Sequence, residues 1–311
     1  KMMRLSENLD FLRNLDALIT PEKTSLILKD DSRLQHLKFI HTRHGAGDRA
    51  VGFDSRSGAF DLVLAPGQKV YDRLINNGII TPGRCRIVGY PKFDVAPYLA
   101  QPQRPFPQDR AVVVYNPHYS LSESSWRKMG DDILDFFCES QDYNLIFAPH
   151  ALLYNRAVRH LARPLWRERR CGNILVDTGS LACHDMSHLL AADIYLGDVS
   201  SQIYEFLYKP RPCIFLDAHN LQNREPAENL RHWQAGEVID APDKLEPALR
   251  RAQTQPNAAR AQQDKLFHET FFTDSERTAG ARAADAIADF LDLDAQATSS
   301  RADSGADGAT G

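Results

Sequence analysis

The sequence lacks any run of about 18 consecutive apolar residues, and neither sign of charge dominates it. The first absence predicts that no helix spans a membrane. The formal net charge of −4 gives no overall attraction to nucleic acid, so we expect no nucleic-acid partner. The first residues also lack the apolar core of a signal peptide, and the chain begins with Lys1, which predicts a truncated N-terminus.

Cysteines are few, since five occur in 311 residues and none forms a Cys-x-x-Cys pair. This pattern predicts reduced thiols in a cytoplasmic protein rather than a disulfide framework. His184 and His188 have the spacing of metal ligands on a helix, but no second motif supports them, so we expect no metal site. The cysteines are Cys85, Cys138, Cys171, Cys183 and Cys213.

The chain is long enough for two domains, and 43% of its residues are hydrophobic, as in ordinary globular proteins. A proline-rich segment at 97–108 has no hydrophobic period and predicts a linker between domains at 1–96 and 109–274. We expect a last helix at 275–294 to pack back on the first domain. The polar, small-residue tail at 295–311 predicts disorder.

Short apolar runs alternate with amphipathic segments, which is typical of a parallel sheet with helices on its faces. The predicted elements of the first domain are helices at 5–19 and 69–77 and strands at 25–28, 37–41, 62–65 and 85–88. The predicted strands of the second domain are 111–115, 143–148, 174–177, 194–197 and 213–216. The remaining predicted helices are 122–139, 155–170, 184–191, 200–208, 243–254, 257–271 and 275–292. This order predicts two Rossmann-like, doubly wound domains that face a central cleft, with ligands beyond the carboxyl ends of the strands.

The segment 192–201 contains the first candidate ligand site, because a strand ending at Gly197 is followed by hydroxyl residues at the start of a helix. Backbone amides and hydroxyls at a helix start can bind an anion such as a diphosphate. Glu205, one turn later, can accept hydrogen bonds from ribose hydroxyls. The alternative is that Ser200 only caps the helix and Glu205 stabilises its first turn. The candidate donor-binding residues here are Asp198, Ser200, Ser201, Gln202 and Glu205.

A second candidate site follows the predicted strand 37–41, where glycines stand beside His44. Glycine lets the backbone approach a ligand closely, and His44 can take a proton from an attacking hydroxyl. The alternative is a solvated histidine in a loop. Gly45 and Arg49 are candidate donor contacts, and Arg43 is a candidate phosphate contact.

Three further strand ends carry polar side chains. Two of them end in Pro-His pairs, which place His118 and His150 where they can bind phosphate or donate a proton. Asn116, just before the first pair, is a candidate donor contact. Lys92 and Asp94 follow another strand and either contact the acceptor or belong to a rigid turn.

The basic segment 156–170, which contains Trp166, predicts a membrane or acceptor contact. Such a helix either touches anionic lipid or a polyphosphate acceptor, or presents only a solvated face.

In chain order these motifs resemble the CDP-glycerol glycerophosphotransferases that prime and polymerise teichoic acids, and their relatives in capsule synthesis. The resemblance covers roughly residues 38–220 and is most specific in 192–201. In the His-Gly loop, Arg43 and Asp48-Arg49 stand where the family usually has a Trp and a Lys. The motifs are His44-Gly45, residues 60–66, Gly89-Tyr90-Pro91-Lys92 with Asp94, Pro149-His150, residues 192–201 and Lys209-Pro210.

The resemblance implies a GT-B fold with the donor nucleotide mainly in the second domain. It implies attack by an acceptor hydroxyl on the glycerol-bearing phosphorus of CDP-glycerol, with release of CMP and without a metal cofactor. His44 would be the general base, His150 would stabilise phosphate charge, and Ser200 and Ser201 would bind the diphosphate. The acceptor would be a cell-surface polymer or its lipid-linked precursor, reached from the cytoplasm at the inner face of the membrane.

Two other functions stay open on the sequence alone. A nucleotide-sugar glycosyltransferase or a UDP-sugar 2-epimerase of GT-B fold uses a similar turn followed by a glutamate. A non-catalytic GT-B module that senses a nucleotide or scaffolds polymer synthesis would have the same fold. A preference for uridine over cytidine ligands would favour the first of these functions. Binding of a nucleotide without release of a product would favour the second.

Overall fold

The computed structural model describes residues 8–99, 105–150, 152–153 and 171–292. It divides into two compact units, neither of which is contiguous in sequence. The first takes in residues up to His44, Phe53–Asp94 and residues from Glu269 onward, and the second takes in Gly45–Gly52 and Val95–His268. A loop of eight residues after His44 groups with the second unit, unlike in the predicted contiguous domains. The last helix groups with the first unit.

Ten strands and nine helices lie in the described residues, joined by short 3-10 turns. The strands are β1 (Ala17–Thr20), β2 (Lys38–His41), β3 (Leu62–Ala65), β4 (Cys85–Ile87), β5 (Ala111–Asn116), β6 (Tyr143–Phe147), β7 (Ile174–Val176), β8 (Ile194–Gly197), β9 (Cys213–Leu216) and β10 (Glu237–Ile239). The helices are α1 (Leu9–Leu12), α2 (Gln68–Asn76), α3 (Lys92–Val95), α4 (Trp126–Glu139), α5 (Ser187–Ala191), α6 (Gln202–Phe206), α7 (Leu245–Thr254), α8 (Arg260–Thr270) and α9 (Ala279–Phe290).

The first unit is built on a parallel sheet of four strands in the order β1-β2-β3-β4. The strand predictions at 37–41, 62–65 and 85–88 and the helix prediction at 69–77 are confirmed to within a residue or so. All four residues of β3 are buried, as expected of a strand covered on both faces. Helix α2 packs on this sheet through Val70 and Leu74, which lie one turn apart on the same face.

The predicted helix at 5–19 is wrong over most of its length. Of its described residues, 8–19, only those of α1 are α-helical, and the strand β1 follows, which pairs in parallel with β2 from Ala17↔Lys38 to Thr20↔His41. The leucine spacing that predicts a helix is local, whereas pairing with β2 is a long-range contact that overrides it.

The predicted strand at 25–28 is also wrong, since it lies inside a 3-10 helix, Lys23–Asp30. Leu28 is buried while its neighbour Ile27 is 72% exposed, so the apolar run does not enter the sheet. A run of this length does not distinguish a buried strand from a helical turn.

The second unit is built on a parallel sheet of six strands in the order β10-β9-β8-β5-β6-β7. The five predicted strands are confirmed as β5 to β9, and only β10, a short edge strand without a strong apolar run, was not predicted. In chain order, β6 and β7 are added on one side of β5, and β8 then pairs with the other side of β5. The strand order therefore reverses between β5 and β8.

Helices cover this second sheet, and the helical predictions after 109 that lie in the described residues are confirmed in slightly shorter form. Helix α4 buries Trp126, Met129, Ile133, Leu134 and Phe137, which recur at intervals of three and four residues. These side chains join the apolar faces of β5 and β6 in one core. The predicted fold class, two Rossmann-like α/β units, is confirmed.

The cysteines do not all match the prediction of reduced thiols. Cys138 at the end of α4 and Cys171 before β7 form a disulfide, with Cα atoms 5.3 Å apart and a sequence separation of 33 residues. A pair so widely spaced carries no local motif, so the sequence offers no signal for it. The other three cysteines are free thiols.

Several sequence predictions fall outside the described residues. They concern the basic helix at 155–170, part of the linker at 97–108 and the tail at 295–311. Within the described part of the chain, every helix is too short or too polar to span a bilayer.

Candidate functional site

The carboxyl ends of β5 and β8 lie side by side at the point where the strand order of the second unit reverses. Asn116 and Gly197, the last residues of these strands, are register partners. Loops diverge at such a point in an open α/β sheet and leave a crevice where ligands bind. The two sequence motifs that follow these strands are therefore brought together.

Asp198 ties these two loops to each other, because its buried carboxylate accepts four hydrogen bonds. Oδ1 accepts from the backbone N–H groups of His118 at 2.9 Å and Val199 at 2.7 Å. Oδ2 accepts from the Ser125 N–H at 2.8 Å and its hydroxyl at 3.0 Å. Burial raises the pKa of this carboxyl, while the hydrogen bonds oppose that effect. The Asp198 carboxylate thus anchors the crevice, and its predicted contact with the donor stays a prediction.

Ser200 and Ser201 follow Asp198 and differ in exposure. Ser200 is buried and its hydroxyl accepts the Gln202 N–H at 3.3 Å, whereas Ser201, the N-cap residue of α6, is half-buried and makes no side-chain capping hydrogen bond. Gln202 donates through Nε2 to the Cys183 carbonyl at 3.1 Å. Helix α6 has only five residues, shorter than predicted, so its dipole is a weak source of anion affinity. Glu205, on this helix, is buried.

The glycines of the loop after His44 lie directly against Ser201. A Cβ on Gly45 would lie 2.8 Å from the Ser201 hydroxyl oxygen, and one on Gly47 would lie 2.9 Å from the Ser201 Cβ. Both distances are shorter than contacts between real side chains. At Gly47 the contact is with Cβ, so a side chain there would displace the loop, whereas at Gly45 rotation of the Ser201 hydroxyl can relieve the contact.

Asp48 anchors this loop, and the sequence did not single it out. It is 2% exposed, and its Oδ2 accepts the Tyr204 hydroxyl and, at 3.2 Å, the His232 N–H. His232 donates through Nε2 to the Asp198 carbonyl at 3.1 Å. The loop, α6 and the Asp198 turn are thus joined by one buried network. Its members are 156 and 184 residues from Asp48, so no local pattern reveals them.

Arg49 joins the same loop to the end of β5. Its guanidinium forms a two-pronged ion pair with Glu123, including a 3.1 Å contact from Nε, and its Nη1 lies 2.9 Å from His118 Nε2. The other ring nitrogen of His118 faces the Ser120 N–H at 3.1 Å. Burial, with the nearby charge of Arg49 and then His150, lowers the pKa of His118 to about 2. His118 is therefore neutral at physiological pH.

A pocket of about 120 Å³ opens beside this ion pair. It is smaller than the roughly 300–1,000 Å³ of a typical small-molecule site, so it can hold only part of a ligand. Its lining residues are Arg49, Ala50, Glu123, Val199, Leu221, Glu225, Asn229 and Leu230.

His150 ends the loop after β6 and packs edge to face on His118, with ring centres 5.4 Å apart. Its backbone N–H donates to the Pro117 carbonyl at 3.0 Å, which fixes its position. Its Nδ1 accepts the Leu152 N–H at 3.2 Å. Because a backbone N–H can only donate, the neutral ring carries its proton on Nε2 and presents a donor there.

His44 belongs to the first unit and has the opposite tautomer. Its side chain is 71% exposed, and its Nδ1 lies 3.2 Å from the Pro21 carbonyl and 3.4 Å from Glu22 Oε1. Both oxygens can only accept from it, so Nδ1 carries the proton and the lone pair of the neutral ring lies on Nε2. A histidine in this state can act as a base.

Two predicted ligand contacts instead use their side chains inside the fold. Asn116 donates through Nδ2 to the Ala148 carbonyl at 2.6 Å and so links β5 to the end of β6. Asp94 accepts the N–H groups of Ala279 at 3.0 Å and Gly280 at 2.7 Å, which caps the start of α9. Both side chains are occupied by structural hydrogen bonds.

Arg43 is buried in the first unit, where its guanidinium lies 4.7 Å from the centre of the Phe53 ring. Its backbone has a positive φ of 56°, and burial lowers its pKa to about 10. This burial does not favour the predicted phosphate contact. Lys92, at the start of α3, is half-buried, and its predicted acceptor contact stays a prediction.

Comparisons with known proteins identify the family and the fold. A family model described as CDP-Glycerol:Poly(glycerophosphate) glycerophosphotransferase matches residues 16–289. A structure of the wall teichoic acid polymerase TagF is similar with a TM-score of 0.63 at 17% identity, over 91% of this chain and 74% of that chain. A TagF variant soaked with CDPG has a TM-score of 0.58 at 16% identity, over 91% and 73%.

A putative UDP-N-acetylglucosamine 2-epimerase from Listeria monocytogenes has a TM-score of 0.57 at 15% identity, over 91% of this chain and 78% of that chain. At these identities the solved structures establish a shared GT-B-like fold and nothing finer. No curated protein sequence matches the chain.

Proposed function

We propose, since this chain belongs to the CDP-glycerol:poly(glycerophosphate) glycerophosphotransferase family, that its second unit binds the diphosphate of CDP-glycerol beside Ser201. The close approach of Gly45 and Gly47 to this half-buried hydroxyl carries the proposal. Because glycine has no side chain, the backbone of this loop is accessible to a ligand beside the Ser201 hydroxyl. The site lies where the strand order reverses, which is where open α/β sheets bind ligands.

The groups of the second unit that follow β5 and β6, together with Arg49, suit the binding of a diphosphate during transfer. Phosphoryl transfer depends mainly on positioning and on donors aimed at the phosphate oxygens. His150 offers a donor at Nε2, and His118 beside it is held neutral. Arg49 adds a cation whose orientation is fixed by Glu123. We assign His150 to the phosphate oxygens and Arg49 to positioning of the loop and the donor.

The small pocket beside Arg49 suits the nucleoside half of the donor. Its volume of about 120 Å³ is sufficient for one ring, and Glu123 and Glu225 line it. A carboxylate accepts hydrogen bonds from the exocyclic amine of cytosine or from ribose hydroxyls. Uracil has no such amine and offers such a carboxylate only its N3–H, so competition between cytidine and uridine ligands tests this assignment.

His44 would act as general base on the acceptor. Its Nε2 takes the proton of the acceptor hydroxyl as the oxygen attacks the glycerol-bearing phosphorus. The bond between this phosphorus and the bridging oxygen breaks, and CMP leaves. The exposed ring and the Nδ1 proton directed at Pro21 support this role.

We further propose that the acceptor is a poly(glycerophosphate) chain or its lipid-linked precursor at the cytoplasmic face of the membrane. Segment 156–170 would contact anionic lipid there, because arginines and Trp166 alternate along it. Co-sedimentation with phosphatidylglycerol vesicles tests this contact. A charge-reversed variant of the segment should stay in the supernatant at low salt, and equal sedimentation of both proteins would refute it.

The transfer itself is tested with CDP-glycerol and a short poly(glycerophosphate) acceptor. We expect one CMP released for each glycerol phosphate added, no product without acceptor, and competition by CMP but not by UDP-sugars. Stronger competition by uridine ligands would overturn the donor assignment. Tight binding of CDP-glycerol by an enzyme that releases no CMP with any acceptor would overturn the catalytic role.

A further inference from the structure

The connection between β7 and α5 brings together three side chains that the proposed transfer does not use. His188 Nε2 lies 2.7 Å from Asp177 Oδ2. One ligand atom from each of Asp177, Cys183 and His188 lies within 4.8 Å of the other two. The three residues fall within twelve positions of the chain but lie in three different local structures, so the cluster is formed by folding.

We propose that Asp177, Cys183 and His188 bind one zinc ion. Sulfur, imidazole nitrogen and carboxylate oxygen are the three donor types that zinc accepts, and a thiolate selects zinc over magnesium or calcium. Three protein ligands leave the fourth tetrahedral position for water. One carboxylate and one thiolate together balance the charge of the ion.

Hydrogen bonds already orient the carboxylate ligand. Oδ1 of Asp177 accepts the N–H groups of Gly179 at 3.1 Å and Ser180 at 2.9 Å, which turns Oδ2 toward His188. The Asp177 N–H continues the strand pairing by donating to the Phe147 carbonyl at 2.9 Å. Metal ligands are commonly held by partners of this kind, which fix their orientation before the ion binds.

The other two ligands are held by the backbone of the same connection. The N–H groups of His184 and Asp185 donate to the Leu181 carbonyl at 2.8 and 2.9 Å, which forms a tight turn around Cys183. His188 lies in the first turn of α5, whose next residue, Leu189, is buried in the core. The side chains of His188 and Asp177 are 12% and 15% exposed, so an ion can enter from solvent.

Zinc binding displaces a proton from the His188 Nε2 atom and from the Cys183 thiol. Zinc inserts between Nε2 and Oδ2 and takes the place of the proton that they share. The imidazole proton moves to Nδ1, the Cys183 thiol releases its proton to water, and no oxidant or reductant is needed. The ion would fix the β7–α5 connection, and it does not take part in the transfer.

The test uses the purified full-length chain after treatment with a chelator. We expect one zinc per chain by titration against a chromophoric chelator, and a thiolate-to-metal charge-transfer band when cobalt replaces zinc. Cys183→Ser should abolish that band and weaken zinc binding at least about tenfold, the scale expected for loss of one ligand partner or more. His188→Gln should weaken binding to a similar extent.

His184→Ala is the matched control, because this exposed histidine lies in the same connection but outside the cluster. It should bind zinc like the unaltered protein. Zinc should also raise the melting temperature of the unaltered chain and of His184→Ala, but not that of Cys183→Ser. Equal zinc affinity in the unaltered chain and Cys183→Ser would overturn the proposal, as would a cobalt spectrum without a thiolate band.

Discussion

His44 and His150 lie in different units and differ in both exposure and tautomer. His44 is largely exposed, and its Nδ1 faces the carbonyl of Pro21. His150 is half-buried, and its Nδ1 faces the N–H of Leu152. The carbonyl of Pro21 thus leaves a lone pair on Nε2 of His44, and the N–H of Leu152 leaves a proton on Nε2 of His150.

The difference suits the two rings to the opposite chemical roles that we propose for them. A base must accept a proton from an attacking hydroxyl, and a phosphate contact must donate one to an oxygen. Neither role requires a charged ring, so both can operate near neutral pH. Substitutions that preserve one ring nitrogen and remove the other can test each assignment.

The largest effect is expected for His44→Ala in the transfer assay. Loss of the general base should lower kcat by about a hundredfold to ten-thousandfold while the binding of CDP-glycerol stays nearly unchanged. His36→Ala is the control, since His36 is also exposed in the first unit. Unaltered turnover in His44→Ala would exclude His44 as the base.

His150→Ala should have the next largest effect, because it removes one donor to the phosphate oxygens. Loss of such a donor typically lowers kcat by about a hundredfold to a thousandfold. His150→Gln retains an amide N–H near the position of Nε2 and should recover part of that loss. If the glutamine and alanine variants are equally slow, the donor role is wrong and His150 acts only by packing on His118.

Gly47→Ala tests whether the donor binds beside the loop that follows His44. The added Cβ would meet Ser201 Cβ at 2.9 Å and push the loop away, which should raise KM for CDP-glycerol by about tenfold. Gly83→Ala is a matched control, because its Cβ would have no heavy atom within 4 Å. An unchanged KM in Gly47→Ala would show that the donor does not bind beside this loop.

The strands and the order of motifs could be predicted because their signals are local. Strands such as β5 and β8 are short apolar runs that end in small or polar residues, and alternation with helices predicts a parallel sheet. This was sufficient to place His118 and Asp198 at neighbouring strand ends. The same local reasoning failed for β1, whose identity as a strand depends on pairing with β2.

The chemistry of individual side chains could not be predicted, because it depends on distant partners. The tautomer of His44 is set by a carbonyl 23 residues away. Asp94 looked like a ligand contact, but its carboxylate caps a helix 185 residues later. The position of Asp48 in a loop gives no sign that Tyr204 and His232 donate to its carboxylate.

The smallest expected effect concerns His118, the buried neighbour of His150, and its contribution to stability at acidic pH. Its folded-state pKa of about 2 lies below the ordinary value of 6.5, so the unfolded chain binds the proton first as the pH falls. Stability is therefore intact above about pH 6.5 and is lost below it, by about 1 kcal/mol between pH 6.5 and 5.5. His41, whose pKa burial lowers to about 4, adds a similar loss in this range. Urea unfolding of His118→Gln should depend less steeply on pH than that of the unaltered protein, and equal slopes would show that His118 is not held neutral by burial.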